Sequence, residues 1–448
     1  MSSLLLPLAL GLMKAGKEVV LVASENFREF VEGFGIAYRP IAGDSENLIN
    51  SPAALKLLEG GNVFKFFYHL QKVSGESAVR SNHDMLDACR DADYLIANVL
   101  TLPVVFSIAE RYNKKIAVVF LSLPPIPTRE FPFQAVGVRG HRWINRLSYR
   151  LLGLSYAMIR KQVDTFRKSI GLPSANVLQA CLRSNMLAIV AESGVLLRRP
   201  ADWPPTAHVT GFLYLSPDQR AAQSVDTTPE GLGEWLTKGE KPVYIGFGSI
   251  PVPDRPRLIR ALDGVLARYR VLLSAGWTRF GQLPVHPNMF VTKYSNHDWL
   301  LPRCCVAVIH GGIGTVGAVL RSGIPAVVVS VLADQPVNGK IIESKGLGMH
   351  IPFKKLTPER LVHAIGAVRT PATMERCRVA AERGKQRGRG RGGHRPAYGV
   401  DPQGGLQNRL YRKKAFPARF HDGDDLRLFL QRQTLPDPGR DQGCANQR

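Results

Sequence analysis

The stretch VAVIHGGIGT, residues 306–315, reads as a short apolar strand that runs into a histidine, a glycine-rich turn and the start of a helix. Glycines let the main chain approach a ligand closely, and the first turn of a helix presents unpaired amides at the positive end of its dipole. A turn of this kind suits a diphosphate. Thr315 adds a hydroxyl that can donate to phosphate, and His310 adds an imidazole N–H. Plain packing of a helix on a strand uses the same glycines, so the surrounding sequence has to decide between the two.

That surrounding sequence repeats the unit. Residues 243–247 read as a strand closed by a second glycine turn, GFGS at 246–249, and Pro256 opens a helix with Leu258, Ile259, Leu262, Val265 and Leu266 on one face. Strands are expected at 269–274, 290–293, 306–309, 325–331 and 349–352, with helices at 316–322, 334–345 and 357–368. Repeated strand–helix units imply right-handed crossovers and a parallel sheet, whose ligands bind at the carboxyl ends of its strands. Gly248, Ser249 and the 310–315 turn should therefore share one pocket. Asp334 and Gln335 follow the next strand at the same edge, where a carboxylate beside an amide can hold sugar hydroxyls; Asp334 also fits the N-cap of its helix.

The first half of the chain shows the same alternation. A helix over 5–15 ends at Gly16, EVVLVAS at 18–24 reads as a strand, and further strands are expected at 94–100 and 116–121. Residues 141–168 are aromatic and basic with apolar residues at helical spacing, a helical excursion over an acceptor pocket. RRPADWPP at 198–205 and the polar 216–230 have the character of an interdomain connection.

With 448 residues and 45% hydrophobic content the chain can build sizeable cores, which excludes a disulfide miniprotein. No apolar run approaches the roughly 20 residues of a spanning helix. The first 13 residues lack the basic start of a signal peptide, and Lys14 comes after the apolar run. Six cysteines form no CxxC pair and no metal-ligand spacing with histidine, which points to reduced thiols in a cytosolic protein, peripheral at a membrane if it meets one. The net charge of +23 favours acidic partners. Residues 376–448 hold 17 Lys+Arg against 7 Asp+Glu, a net of +10, which leaves +13 for the other 375 residues. The Arg/Gly-rich run at 383–395 and the residues after it lack the clustered apolar side chains of a core and are expected to be disordered. Its single RGG triplet, at 391–393, and its sparse aromatics fit a solvated charge run better than a nucleic-acid partner.

GFGSI at 246–250, NHDWLLPRC at 296–304, HGGIGT at 310–315 and LRSGIPAVVVSVLADQPVNGKIIESKGLG at 320–348 together resemble the nucleotide-sugar domain of GT-B glycosyltransferases. The similarity is to the branch holding sterol 3-beta-glucosyltransferases and antibiotic glycosyltransferases. AGKEVVLVASENFREFVEGFGIAYRPI at 15–41 and LPPIPTREFPF at 123–133 extend it into the first half, and it covers about residues 4–372.

The resemblance implies an α/β, GT-B architecture of two tandem Rossmann-like domains with a cleft between them. Residues 1–212 would bind the acceptor, 213–238 would be linker, 239–375 would bind the nucleotide-sugar, and 376–448 would be a disordered basic tail. It further implies a UDP-sugar donor, UDP-glucose, with no metal or other cofactor. The base would lie against His297 and Trp299, the diphosphate on Gly248, Ser249, His310, Gly311, Gly312, Gly314 and Thr315, and the sugar on Asp334 and Gln335. Transfer to a hydroxyl of a lipophilic acceptor such as a sterol would invert the anomeric carbon. Asp91-Ala92-Asp93 and the DGDD run at 422–425 read as a turn and as tail sequence rather than metal ligands.

Three departures qualify the expectation. Relatives begin with a strand and a glycine-rich loop resembling GTRGDVQP that carries or supports the acceptor base; this sequence starts at the helix after it, so the first strand is expected to be absent and no catalytic residue is named. His69, His83 and His141 sit in no matching motif. The tail replaces a helix that returns to the first domain, consistent with a change of reading frame. An inactive relative that only binds the nucleotide is the alternative reading. Relatives often carry two histidines where this chain has Ile309-His310, and the second is the one expected to face the diphosphate.

Overall fold

A computed structural model describes residues 2–44, 47, 51–59, 75–133, 140–221, 229–248, 252–276, 278, 286–292, 296–332 and 334–388. In chain order the strands of the first half are β1 (Val20–Ser24), β2 (Ala37–Ile41), β3 (Tyr94–Asn98), β4 (Lys115–Phe120), β5 (Leu187–Val190) and β6 (Ala207–Val209). Those of the second half are β7 (Val243–Gly246), β8 (Val271–Ser274), β9 (Met289–Thr292), β10 (Val306–Ile309), β11 (Ala326–Ser330) and β12 (Gly348–Pro352). Every pairing among them is parallel.

The second half builds one six-stranded sheet in the order β12-β11-β10-β7-β8-β9. Its four inner strands, β11, β10, β7 and β8, are nearly continuous apolar runs because both faces are covered. Val243, Ile245, Leu273, Val308 and Val327 point to one core, closed by helices Arg255–Leu266 and Pro358–Val368. Tyr244, Leu272, Ile309 and Val328 point to the other, closed by helix Ile313–Ser322 and by Cys377 and Ala380 of helix Pro371–Gly388. That last helix runs beyond 375, where the ordered part was expected to stop. Its buried alanines and cysteine are small enough to lie close on helix Ile313–Ser322, a packing signal that hydrophobic counting passes over. The rest of the expected tail lies outside the described residues.

The first half divides into two sheets among the described residues: β1 with β2, and β3-β4-β5-β6. Helix Ser2–Lys14 sets Leu6 and Ala9 on Leu21, Ala23 and Tyr38 of the smaller sheet. Helices Leu102–Tyr112 and Leu151–Ser169 cover one face of the larger sheet, tied by a buried Arg167 that donates to Glu110 at 2.8 and 3.1 Å. Asp91, at the turn entering β3, is gripped by both terminal nitrogens of Arg39 at 2.6 Å, which holds its carboxyl down at about 2. Within the span expected as linker, short helices Pro217–Ala221 and Leu232–Thr237 form. Asp298 on helix His297–Leu300 anchors the first of these: it accepts from Arg220 and, at 2.7 Å, from Arg321.

Candidate functional site

Two glycine turns meet around His310. β7 and β10 are neighbours with Gly246 opposite Ile309, so the chain leaving β7 lies beside the chain leaving β10. The His310 ring fills the space between them. Gly248 has φ +61°, and a β-carbon there would stand 3.0 Å from Cε1 of His310, while a β-carbon on Gly312 would collide with its Nε2. Glycine is needed at the first position by backbone conformation and at the second by the ring. His310 is 7% exposed, and among the described residues its Nδ1 has no hydrogen-bond partner. Burial pushes the imidazole down to about 4 against the pull of the Gly246 carbonyl, so it is neutral at pH 7.

Gly312 is the N-cap of helix Ile313–Ser322 and brings no side chain to cap it. Gly314 is exposed, and Gly312 and Thr315 are half-buried. The first-turn amides therefore open outward beside a buried imidazole with an unused nitrogen, an arrangement fitted to an anion. Ile309, before the histidine, is fully buried in the sheet.

Asn338 connects this turn to the next strand's loop: its Nδ2 donates to the Gly311 carbonyl at 2.9 Å and to Asp334 Oδ2 at 3.3 Å. Asp334 precedes helix Gln335–Ser344 without a side-chain cap bond, and burial raises its carboxyl although Asn338 and Ser122 donate to it. Gln335 is 1% exposed, and its Oε1 accepts from the amides of Val331 and Leu332 at 2.8 and 3.1 Å, which fixes the loop. Its NH₂ is left to donate elsewhere.

The structure thus brings Gly248, His310, Gly311, Gly312, Gly314, Thr315, Asp334 and Gln335 into one group. His297 sits against Tyr244 of β7: Nε2 lies 2.8 Å from the Tyr244 hydroxyl, the two rings meet edge to face at 5.5 Å, and burial pushes the imidazole down to about 4. Trp299 carries the Arg303 guanidinium on its ring at 4.3 Å. Ser249 lies outside the described residues.

Sequence reasoning missed the residue that faces this group from the first half. Glu192, two positions past β5, is 1% exposed, and its Oε1 accepts from the amide of Ser193 at 3.0 Å. Burial, with the nearby Asp334 carboxylate, pushes it up to about 8. Val337 and Ile341 of helix Gln335–Ser344 pack beside it on Phe120, Val190 and Trp203. A glutamate following the apolar LAIVA run at a strand's carboxyl end was the available signal.

Residues 281–384 match the family described as Erythromycin biosynthesis protein CIII-like, C-terminal domain. Sterol 3-beta-glucosyltransferase UGT80A2 of Arabidopsis thaliana is 32% identical over 378 residues, covering 78% of this chain and 56% of the relative. The sterol 3-beta-glucosyltransferase of Komagataella phaffii is 32% identical over 396 residues, covering 85% of this chain and 32% of the relative. The chain thus spans about half of the first relative and a third of the second. Among solved structures, the glycotransferase of kitacinnamycin superposes with a TM-score of 0.64 at 17% identity, covering 86% of this chain and 92% of the other. VinC, solved in complex with DTDP, gives 0.57 at 18%, covering 86% and 93%. The chain has the fold of these glycosyltransferase structures, and over most of its length it is similar in sequence to the sterol 3-beta-glucosyltransferases.

Proposed function

We propose that the protein transfers a hexose, glucose, from a UDP-sugar to the hydroxyl of a lipophilic acceptor, a sterol, with inversion at the anomeric carbon. In this reading residues 239–375 hold the donor, 1–212 the acceptor, and 213–238 join them. The observation that carries it is the buried, neutral His310 with an unpartnered nitrogen, set between two glycines beside the open first turn of helix Ile313–Ser322. The names of the sequence relatives supply the acceptor class, and the bound DTDP of VinC supports a nucleoside diphosphate.

The chemistry is governed by charge. As the glycosidic bond to phosphate breaks, negative charge builds on the departing diphosphate, and the amides after Gly312 and an N–H of His310 would donate to it. Asp334 and Gln335 hold sugar hydroxyls by accepting and donating hydrogen bonds. Peripheral contact with a membrane accords with an acceptor carried in a bilayer. The test is transfer of labelled glucose from UDP-glucose to a panel of sterols by the full chain. Sterol glucoside formed by the wild type and lost in His310→Ala is the expected result; thermal stabilisation by UDP without any transfer would overturn the reading.

A further inference from the structure

Helices Arg142–Ser148 and Leu151–Ser169 succeed one another almost without interruption, since Tyr149 and Arg150 keep helical backbone angles. Their inner side, with Tyr156, Val163 and Phe166, packs into the first half. Their outer side is apolar as well. Trp143 and Leu154 are each 66% exposed, and Ile144, Leu147, Leu151 and Met158 are exposed too. Ile144, Leu147, Leu151, Leu154 and Met158 fall at alternating spacings of three and four, one continuous stripe on a helix.

Nothing in the core requires this stripe, and exposed apolar side chains in such a line mark a contact surface. The charge around it specifies the kind of contact. Residues 131–163 contain no Asp or Glu, while Arg142, Arg146, Arg150, Arg160 and Lys161 are exposed along the same helices. Arg146 reaches Asp202 at 3.8 Å and Arg160 reaches Asp164 at 3.5 Å; among the described residues Arg142, Arg150 and Lys161 pair with no carboxylate. A helix with large apolar residues, a tryptophan and unpaired cations on its outer side meets the requirements for lying in the headgroup region of an anionic bilayer.

We infer that the outer face of residues 142–161 is a membrane-docking surface that seats this protein on anionic lipid. The surface stands independently of the donor and acceptor assigned above, since it rests on exposure and charge alone. It places the first half of the molecule against the bilayer.

Flotation of the full chain with vesicles made of equal parts phosphatidylcholine and phosphatidylserine tests it, with pure phosphatidylcholine vesicles and a structured RNA as comparisons. The wild type should float with the mixed vesicles, far less with the neutral ones, and salt should release it. The pair Leu147→Glu and Leu154→Glu should lower vesicle affinity about tenfold or more, and Arg150→Glu about fivefold. UDP-induced stabilisation in the same variants reports that the fold and donor site are intact, so a failure of docking is distinguishable from a failure of the transfer reading. Vesicle binding unchanged in the leucine variants would assign it to the basic residues beyond 376 and overturn the proposal, as would RNA binding equally sensitive to the same substitutions.

Discussion

The two halves of the molecule use the same strand–helix unit and bury it to different depths. In the second half β7, β8, β10 and β11 are fully buried, and one sheet separates two cores. In the first half β1 and β3 alternate between buried and open residues, and three smaller clusters replace the two large ones. The site shows the same division. On the second half it is made of main chain and of side chains locked by the sheet, whereas the first half contributes single side chains such as Ser122 and Glu192. Backbone amides held by a sheet buried on both faces need no rearrangement to meet a diphosphate, which suits a donor of fixed chemistry.

The contrast in burial sets the largest expected effect. Leu273→Ala, at a fully buried position of β8, should cost about 4 kcal/mol, and Leu21→Ala, 9% exposed in the two-stranded sheet, about 2 kcal/mol. Denaturant unfolding of both variants measures the difference, and equal costs would break the comparison. Next in size are changes at the turn. Gly312→Ala places a β-carbon against the His310 ring and should abolish stabilisation by UDP. His310→Ala, which removes one hydrogen bond to a charged group, should weaken UDP roughly tenfold to a hundredfold. Calorimetric titration with UDP would rank them, and an unchanged affinity in Gly312→Ala would remove the turn from the site.

The same contrast governs what the sequence disclosed. The inner strands of the second half stood out because burial on both faces makes them nearly unbroken apolar runs, and β10 begins and ends where VAVI does. β2, β5 and β6 were not picked out: AYRPI carries a proline and an arginine at an edge, and LAIV and AHV are too short to show a period. At the site, the convergence of GFGS and HGGIGT was dictated by strand order, and so was the position of Asp334. The Tyr244 contact of His297 joins residues 53 apart, which no spacing encodes, whereas the engagement of Gln335 with Val331 and Leu332 and the Arg303 cover on Trp299 are local pairs that depend on side-chain rotamers.

Acid and base should act on the halves in opposite directions. Glu192 is held up at about 8 by burial, so between its ordinary value near 4.5 and 8 the unfolded chain loses a proton that the folded chain keeps. Stability should therefore fall as pH rises through that window, at about 1 kcal/mol per pH unit, and level off above it. His297 and His310 are held down at about 4 by burial, so stability should fall as pH drops from 6.5 toward 4. Glu192→Gln should flatten the fall between pH 6.5 and 8 and, because its window overlaps that of the histidines below 6.5 with the opposite sign, steepen the loss toward acid. Melting temperatures across pH 5 to 9 would show this, and an alkaline slope unchanged in the variant would detach Glu192 from the effect.

The smallest effect separates the halves at two helix caps. Asp254 caps helix Arg255–Leu266 by accepting from the amide of Arg257 at 2.8 Å, and Asn176 caps helix Val177–Arg183 by accepting from the amide of Gln179 at 3.1 Å. Replacing either by alanine strips one first-turn amide of its acceptor and should cost about 1 kcal/mol at neutral pH. Acid then distinguishes them. Partial burial opposes ionisation of Asp254, but the Arg257 amide and guanidinium outweigh it and hold the carboxyl below its usual range. Its contribution is complete above the ordinary value of 3.8 and disappears as pH falls through the lowered one, whereas the Asn176 amide does not titrate. Near pH 3 the penalty of Asp254→Ala should shrink while that of Asn176→Ala persists. Urea unfolding of both variants at pH 7 and pH 3 measures this, and two penalties that shrink together would mean that the caps are not independent of the acid response of the whole fold.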